Sequence, residues 1–358
     1  MNRTEDTMPT QPDASKIEAF AGATADRLAS AWTVAAIHIG DQLGLYAALA
    51  EGAGTADDIA ARASTHPRLT REWLDGQVAA AIVEFEDDTY RLPVEHAAVL
   101  AVSDSPAFLA AAGGVLAAAF QGERKILDAF RGDGKLAWGD QHPCLFGAVD
   151  RFYRTGYATS LVADWIPALS GVDHTLRVGG RVADVGCGHG TALVMMAEAF
   201  PNSTFVGIDN HDQSLDRACE RVADAGLGRN VRLERGDAAT FQGGPYDLIC
   251  FFDALHDMGD PDTAIRNARH QIADTGSVML IEPAAGESVA ESVGDLAAQL
   301  YYPGSAFLCT PNALAQGGVA LGNQVPEATW RNLFNRAGFN RFERVAETPF
   351  NRVFEARP

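Results

Sequence analysis

An α/β fold is what this 358-residue sequence predicts: a Rossmann-like doubly wound sheet with an antiparallel C-terminal hairpin, preceded by a mainly helical winged-helix domain. Three observations predict it. From residue 181 onward, short apolar segments alternate with amphipathic ones, the pattern of parallel strands joined by crossover helices. The stretch "VADVGCGHGTA" sets a glycine-rich turn between a strand and a helix. Between 17 and 100, helix-period segments lead into "VEFEDDTYRLP", whose polar "EDD" tip marks a small hairpin.

Taken in order, "MNRTEDTMPTQPDASK" (1–16) is polar and acidic with no apolar h-region, and reads as a disordered leader. "DRLASAWTVAAIHIGDQLGLYAAL" carries an apolar helical stripe expected to break at Gly40 and Gly44. Thr55 is placed as the N-cap of the next helix, with acids in the first turn, and "PRLTREWLDGQVAAAIV" supplies another. Helix, turn, helix and hairpin make the winged-helix pattern over 17–100. Residues 101–175 read as a helical linker and substrate-covering region, with "AFLAAAGGVLAAAF" (107–120) as a buried helix and 131–146 as a covering loop. Among the aromatic residues there, Trp138 and Tyr153 are candidate substrate contacts. The third part, 176–358, holds strands expected at 181–186, 204–209, 231–237, 247–253 and 277–283. "RFERVAETP" and "NRVFEARP" then form an edge hairpin.

Charge narrows the function. With 28 basic and 47 acidic side chains the formal net charge is −19, which repels phosphate backbones and anionic lipid. The front region does not escape this field. Its expected recognition helix carries Arg68 and Arg71 but also Glu72 and Asp75, where a nucleic-acid reader would carry a basic stripe. A dimerisation or substrate-covering module is the better reading, with no nucleic acid as partner. No apolar run approaches the ~20 residues of a membrane span. Five cysteines without a CxxC pair point to reduced thiols of a cytoplasmic protein, with no disulfide frame and no metal site.

The glycine loop discriminates between cofactors. A dinucleotide fingerprint needs a third glycine where Thr191 stands; the spacing here is Asp184-x-Gly186-x-Gly188-x-Gly190. Asp184 would be repelled by a pyrophosphate and welcomes a cation, which suits S-adenosylmethionine, the precursor of S-adenosylhomocysteine. Asp209 ends the second strand, where a carboxylate can accept both ribose hydroxyls. Asp237 follows the third and can take the adenine amino group. Cys187, Asn210, Gly236, Ala238, Phe252 and Asp253 complete the expected cofactor contacts.

On "VADVGCGHG", "FFDALHDMGDP" and "CTPNALAQGGVALGNQ", the chain resembles class I S-adenosylmethionine-dependent methyltransferases, and as a whole bacterial small-molecule O-methyltransferases with a winged-helix front. Phenolic O-methyltransferases have a similar layout. There a histidine followed by aspartate and usually tryptophan removes the acceptor's proton, and a glutamate after the fifth strand orients it. The resemblance implies those roles for His256 and Glu282, with Asp257 beside them; Met258 stands where the tryptophan is expected. It also implies a homodimer formed through the N-terminal domain. Asp260-Pro261 fits an N-cap followed by proline at N1, so it is expected to start a helix. Tyr301, Tyr302 and Cys309, in the insertion over 296–318, are candidate acceptor contacts. The function expected is O-methylation of a small aromatic or polyketide-like metabolite. N- or C-methylation, a cofactor-binding regulator, and a decarboxylase or cyclase on the same scaffold are the alternatives.

Overall fold

The computed structural model describes residues 12–358, which form two compact units divided between Gly113 and Gly114. The first unit opens with a helix over Ala14–Gln42, capped by the Asp13 carboxylate, which accepts the Ser15 N–H at 2.9 Å. Residues 14–16 of the expected leader are therefore helical, and 1–11 lie outside the described residues. Nor does this helix break at Gly40. The missing side chain there is a packing device, since a Cβ would overlap the Trp73 ring and meet Tyr46 at 2.8 Å. The break comes at Gly44, in the left-handed region at φ 70°.

Helices over Leu45–Ala50, Ala56–Arg62 and Pro67–Ala79 follow, then a hairpin of β1 (Glu84–Glu86) and β2 (Thr89–Arg91). Thr55 and Asp58 make a reciprocal capping box, two orphan backbone donors satisfied at once. Leu45, Tyr46, Leu49, Ile59, Leu74 and Tyr90 form the core. Phe108, Ala110 and Ala111 pack into it, which moves the boundary expected at residue 100 down to Gly113. Arg68 and Arg71 pair with Glu72 and Asp88 at 2.5 and 3.6 Å, so the helix Pro67–Ala79 presents no free basic stripe. The expected buried helix over 107–120 is shorter, Ala112–Gln121, and Phe120 is 78% exposed.

The second unit is built on a seven-stranded sheet. Its strands are β3 (Arg181–Val185), β4 (Thr204–Asp209), β5 (Val231–Arg235), β6 (Tyr246–Phe252), β7 (Ile272–Pro283), β8 (Arg341–Glu347) and β9 (Asn351–Arg357). The order is β5-β4-β3-β6-β7-β9-β8, parallel except for β9, which runs antiparallel to both of its neighbours. Alternate residues serve opposite faces, as a two-residue period requires. Val182, Leu248 and Met279 pack with the helix Thr191–Ala199 and the segment from Tyr157 to Leu176. Ala183, Ile249 and Leu280 pack with Ala264, Ile265, Trp330 and Phe334. Burial of each such large side chain contributes about 1.5–3 kcal/mol, so the sheet's central strands are a rigid base. Tyr157, Leu161, Trp165 and Ile166 are buried in this core, so most of the expected linker belongs to the sheet unit.

Register positions the chemistry. Asp184 pairs with Gly207 and Cys250, and Phe252 with Ile281, so Asp184, Asp209, Asp253, His256 and Glu282 all emerge at the carboxyl ends of parallel strands. Ligands bind at that edge in doubly wound sheets, because crossover loops and helix N-termini converge there.

Candidate active site

A cavity of about 450 Å³ opens at the carboxyl ends of β3, β4 and β6. Its floor is the glycine loop. Gly186 sits at φ 83°, and a Cβ there would come within 2.8 Å of the Ala254 methyl. The N–H groups of Gly186 and Cys187 both donate to the Ile208 carbonyl, which holds the loop against β4. Gly188 donates its N–H to Asp209 Oδ2 at 2.8 Å, and His211 donates to Oδ1 at 2.9 Å, so the Asp209 carboxylate is oriented by backbone alone. At the far side Asp237 Oδ1 accepts the Ala239 N–H at 2.7 Å beside Gly236 and Ala238.

Asp184 is the informative group. It is 1% exposed, and its Oδ1 has no hydrogen-bond partner among the described residues. Burial, and secondarily the Asp209 charge, pushes its carboxyl up to about 8. A buried acceptor left unpaired costs roughly 1–3 kcal/mol, which a cationic ligand would recover. The orphaned carboxyl, the glycine floor and the paired acids at the ends of β4 and β5 fit S-adenosylmethionine. They suit its ammonium, its ribose diol and its adenine.

Beyond the cavity wall lie His256 and Glu282, each 2% exposed. Glu282 Oε2 holds His256 Nδ1 at 2.5 Å, and Oε1 accepts the His256 backbone N–H at 3.2 Å. Burial alone would lower the imidazole pKa. The charge and hydrogen bond of Glu282, with the neighbouring Cys309 thiol, outweigh it and raise the ring well above its ordinary value. Burial lifts Asp257 to about 7 against the pull of the His256 charge.

Residues 176–335 match the family model for a methyltransferase domain, and residues 30–102 match the Rv2258c-like winged helix-turn-helix domain. This chain carries a methyltransferase domain. Its curated relatives include 27-O-demethylrifamycin SV methyltransferase of Amycolatopsis mediterranei (strain S699), 29% identical over 44% of this chain and 56% of that protein. Another is the ubiquinone biosynthesis O-methyltransferase of Bordetella avium (strain 197N), 36% identical over 29% of this chain and 41% of that one. The chain thus spans about half the length of these relatives. Among solved structures, PigF with SAH superposes at a TM-score of 0.69, with 22% identity, over 94% of this chain and 99% of that one. The mitomycin 7-O-methyltransferase MmcR gives 0.66 at 17% identity, over 97% and 100%. These two show the shared fold.

Of the predicted cofactor residues, the methyltransferase domain brings eleven to the cavity wall: Asp184, Gly186, Cys187, Gly188, Asp209, Asn210, Gly236, Asp237, Ala238, Phe252 and Asp253. Gly190 is not among them. At φ 72° it packs the helix start against Ala218, which a Cβ would meet at 3.1 Å. Trp138, Tyr153 and Asp257 also line the cavity; His256 and Glu282 do not. Tyr301 is buried and donates its hydroxyl to the Phe350 carbonyl at 3.1 Å. Tyr302 lines a separate cavity of about 530 Å³. Cys309 is half-buried beside His256.

Among the cavity residues of the second unit that sequence reading did not single out are Asp150, Asn312 and Gln316. Asp150, on the helix Cys144–Gly156, takes a bidentate pair from Arg221 at 3.0 and 2.8 Å and the Thr191 hydroxyl, clasping the exit of the glycine loop. Asn312 accepts the Trp138 N–H at 2.9 Å and donates to the Asp257 carbonyl at 3.2 Å. Gln316 accepts the Gly259 N–H at 3.0 Å. Nothing in local periodicity marks Asp150. Asn312 and Gln316 lay in the quoted stretch "CTPNALAQGG", but their partners are more than fifty residues away.

Proposed function

We propose that this protein transfers the methyl group of S-adenosylmethionine to a hydroxyl oxygen of a small, aromatic or polyketide-like acceptor, with His256 as general base. The observation that carries this reading is the locked imidazole. With Nδ1 donated to Glu282, Nε2 is the ring nitrogen that would take a proton from the acceptor, once the Cys309 thiol hydrogen-bonded to the ring gives way. S-adenosylmethionine supplies the methyl group on its sulfonium. The chain's residues must align the acceptor's lone pair with that carbon, since the displacement is in line. They must also remove the acceptor's proton. A phenol titrates near 10, so a base whose own pKa lies above 6.5 narrows the gap. Glu282 has that effect on His256, and it stabilises the imidazolium that results. In the present arrangement the Cys309 thiol stands next to the ring. The acceptor hydroxyl would take its place at Nε2.

The two relatives named above as acting at oxygen, on a rifamycin and in ubiquinone biosynthesis, favour the O-methyl reading over N- or C-methylation. The regulator reading has the acidic front unit against it, whose only helix-borne arginines in the recognition position are paired with acids. Homodimerisation through the first unit is supported by its long helix, where Phe20 and Trp32 are 70% and 79% exposed. A cytoplasmic location is consistent with five free cysteines and with no described helix long and apolar enough to cross a membrane. The test of the activity supplies methyl-labelled S-adenosylmethionine with an extract of the producing organism and identifies the labelled product. Label on an oxygen is expected. Label on nitrogen or carbon, or cofactor binding with no labelled product, would overturn the reading.

A further inference from the structure

The cavity has two electrostatic neighbourhoods, and Asp253 belongs to the second. The Asp209 charge acts on Asp184 and both act on Cys187, while Tyr157 feels Asp253 and Asp184 alike and joins the two neighbourhoods. Asp253 instead interacts with Glu282, His256, Tyr153 and Tyr301. Its backbone leans the same way, donating its N–H to the Ile281 carbonyl of β7 at 2.8 Å. At φ 51° it occupies the left-handed region, where a side chain other than glycine's is strained and is retained for a local reason. Its carboxyl is built into place from two directions. Tyr157 donates its hydroxyl to Oδ2 and Asn351 its amide to Oδ1, both at 2.8 Å. Each oxygen keeps a free lone pair, and the residue lines the cavity. Among the described residues no lysine or arginine lines that cavity.

We propose that Asp253, held by Tyr157 and Asn351, is an acceptor-recognition carboxyl, and that it selects acceptors bearing an ammonium or hydroxyl donor near the methylated oxygen while rejecting anionic ones. This rests on the reading that the end of the cavity next to His256 receives the acceptor. Sequence position alone had grouped Asp253 with the cofactor. With two neutral donors already in place, the carboxyl gains from a third donor or a cation. Above about pH 8, where Asp253 is ionised, an acceptor carboxylate meets a like charge in a poorly solvated place, so the acceptors are compared above that pH. Burial and the Glu282 charge hold the Asp253 carboxyl up at about 8, so an entering cation would draw off its proton as it binds.

The test uses three matched phenols with the full-length protein: meta-aminomethylphenol, meta-hydroxybenzyl alcohol and meta-hydroxybenzoate. Each is titrated calorimetrically onto the S-adenosylhomocysteine-bound protein and separately assayed for labelled methyl transfer. The ammonium and alcohol compounds should bind on the order of tenfold or more tighter than the benzoate, the size of one hydrogen bond to a charged group. Asp253→Asn, which tolerates the same backbone conformation, should bring the three within about threefold of one another while cofactor affinity stays within about threefold. Tyr157→Phe frees Oδ2 and should widen the preference for the ammonium.

The proposal is overturned if the benzoate binds as well as the others, if no member of the panel binds, or if the ranking survives Asp253→Asn. It is also overturned if that variant loses cofactor affinity instead, or if Tyr157→Phe leaves the preference unchanged or narrower. Should the ranking appear with no methyl transfer, the O-methylation reading fails and the recognition role of Asp253 stands.

Discussion

The two ends of the site are built differently. At the cofactor end the protein works with backbone and open space: a glycine floor, N–H groups that hold Asp209, and a cavity-lining Asp184 with one buried oxygen unpaired. At the end proposed for the acceptor it works with side chains already joined to one another: His256 to Glu282, and Asp253 to Tyr157 and Asn351. The first end is poised for a ligand of fixed shape that every turnover brings. The second spends its polar groups internally, and a hydroxyl arriving at His256 has to displace a neighbour. The difference teaches that affinity and chemistry are separable here, and substitutions should separate them.

The largest effect should come from His256→Ala. Removal of a general base typically costs ~10²–10⁴ in rate, so kcat should fall by that order while cofactor affinity, read by calorimetry, stays near wild type. Near-wild-type turnover at neutral pH would dissolve the distinction between the two ends. Next comes Glu282→Gln. Glu282 raises the His256 pKa, so loss of its charge lowers it. The base acts only when unprotonated, so the wild-type kcat should climb with pH above neutrality. In the variant that limb should move to lower pH with a reduced plateau, and a pH–rate profile that does not move would show that the pair is structural.

At the other end, Asp184→Asn should weaken S-adenosylmethionine binding by roughly 10- to 100-fold, the range for a hydrogen bond to a charged group, with kcat at saturation little changed. The same residue gives a pH signature. Its carboxyl titrates at about 8 in the free protein and must be ionised to meet an ammonium. Affinity should therefore be weaker below that pH and rise through it, with a proton released on binding. Calorimetry in buffers of different ionisation enthalpy would detect that proton, and its absence would count against the pairing. The smallest effect is expected of Asp209→Ala, at least ~1 kcal/mol of cofactor affinity, since backbone N–H groups already share that carboxylate.

Legibility followed distance along the chain. The glycine loop, the acids at the ends of β4 and β5 and the Asp260-Pro261 helix start were readable because each is a local requirement. Turns need glycine at positive φ, strand ends meet ligands, and Asp260 caps its helix through the Thr263 N–H at 2.9 Å. Gly40 misled because a glycine in a helical stripe reads as a break, while its use is to admit the Trp73 ring from another helix. Gly318 too has a packing use, since a Cβ there would overlap the Gly259 carbonyl.

From the sequence by itself came the alternation that makes a doubly wound sheet, the edge hairpin and the chemistry of the cofactor end. All of these are consequences of periodicity, backbone freedom and charge within a few residues. Only the tertiary structure decided that Asp150, Asn312 and Gln316 wall the cavity, that His256 is sealed behind it, and that Asp253 is held by Tyr157 and Asn351. Those facts depend on side chains from segments up to 174 residues apart in the chain, as between Trp138 and Asn312. Register and packing bring such partners together, and no local pattern records them.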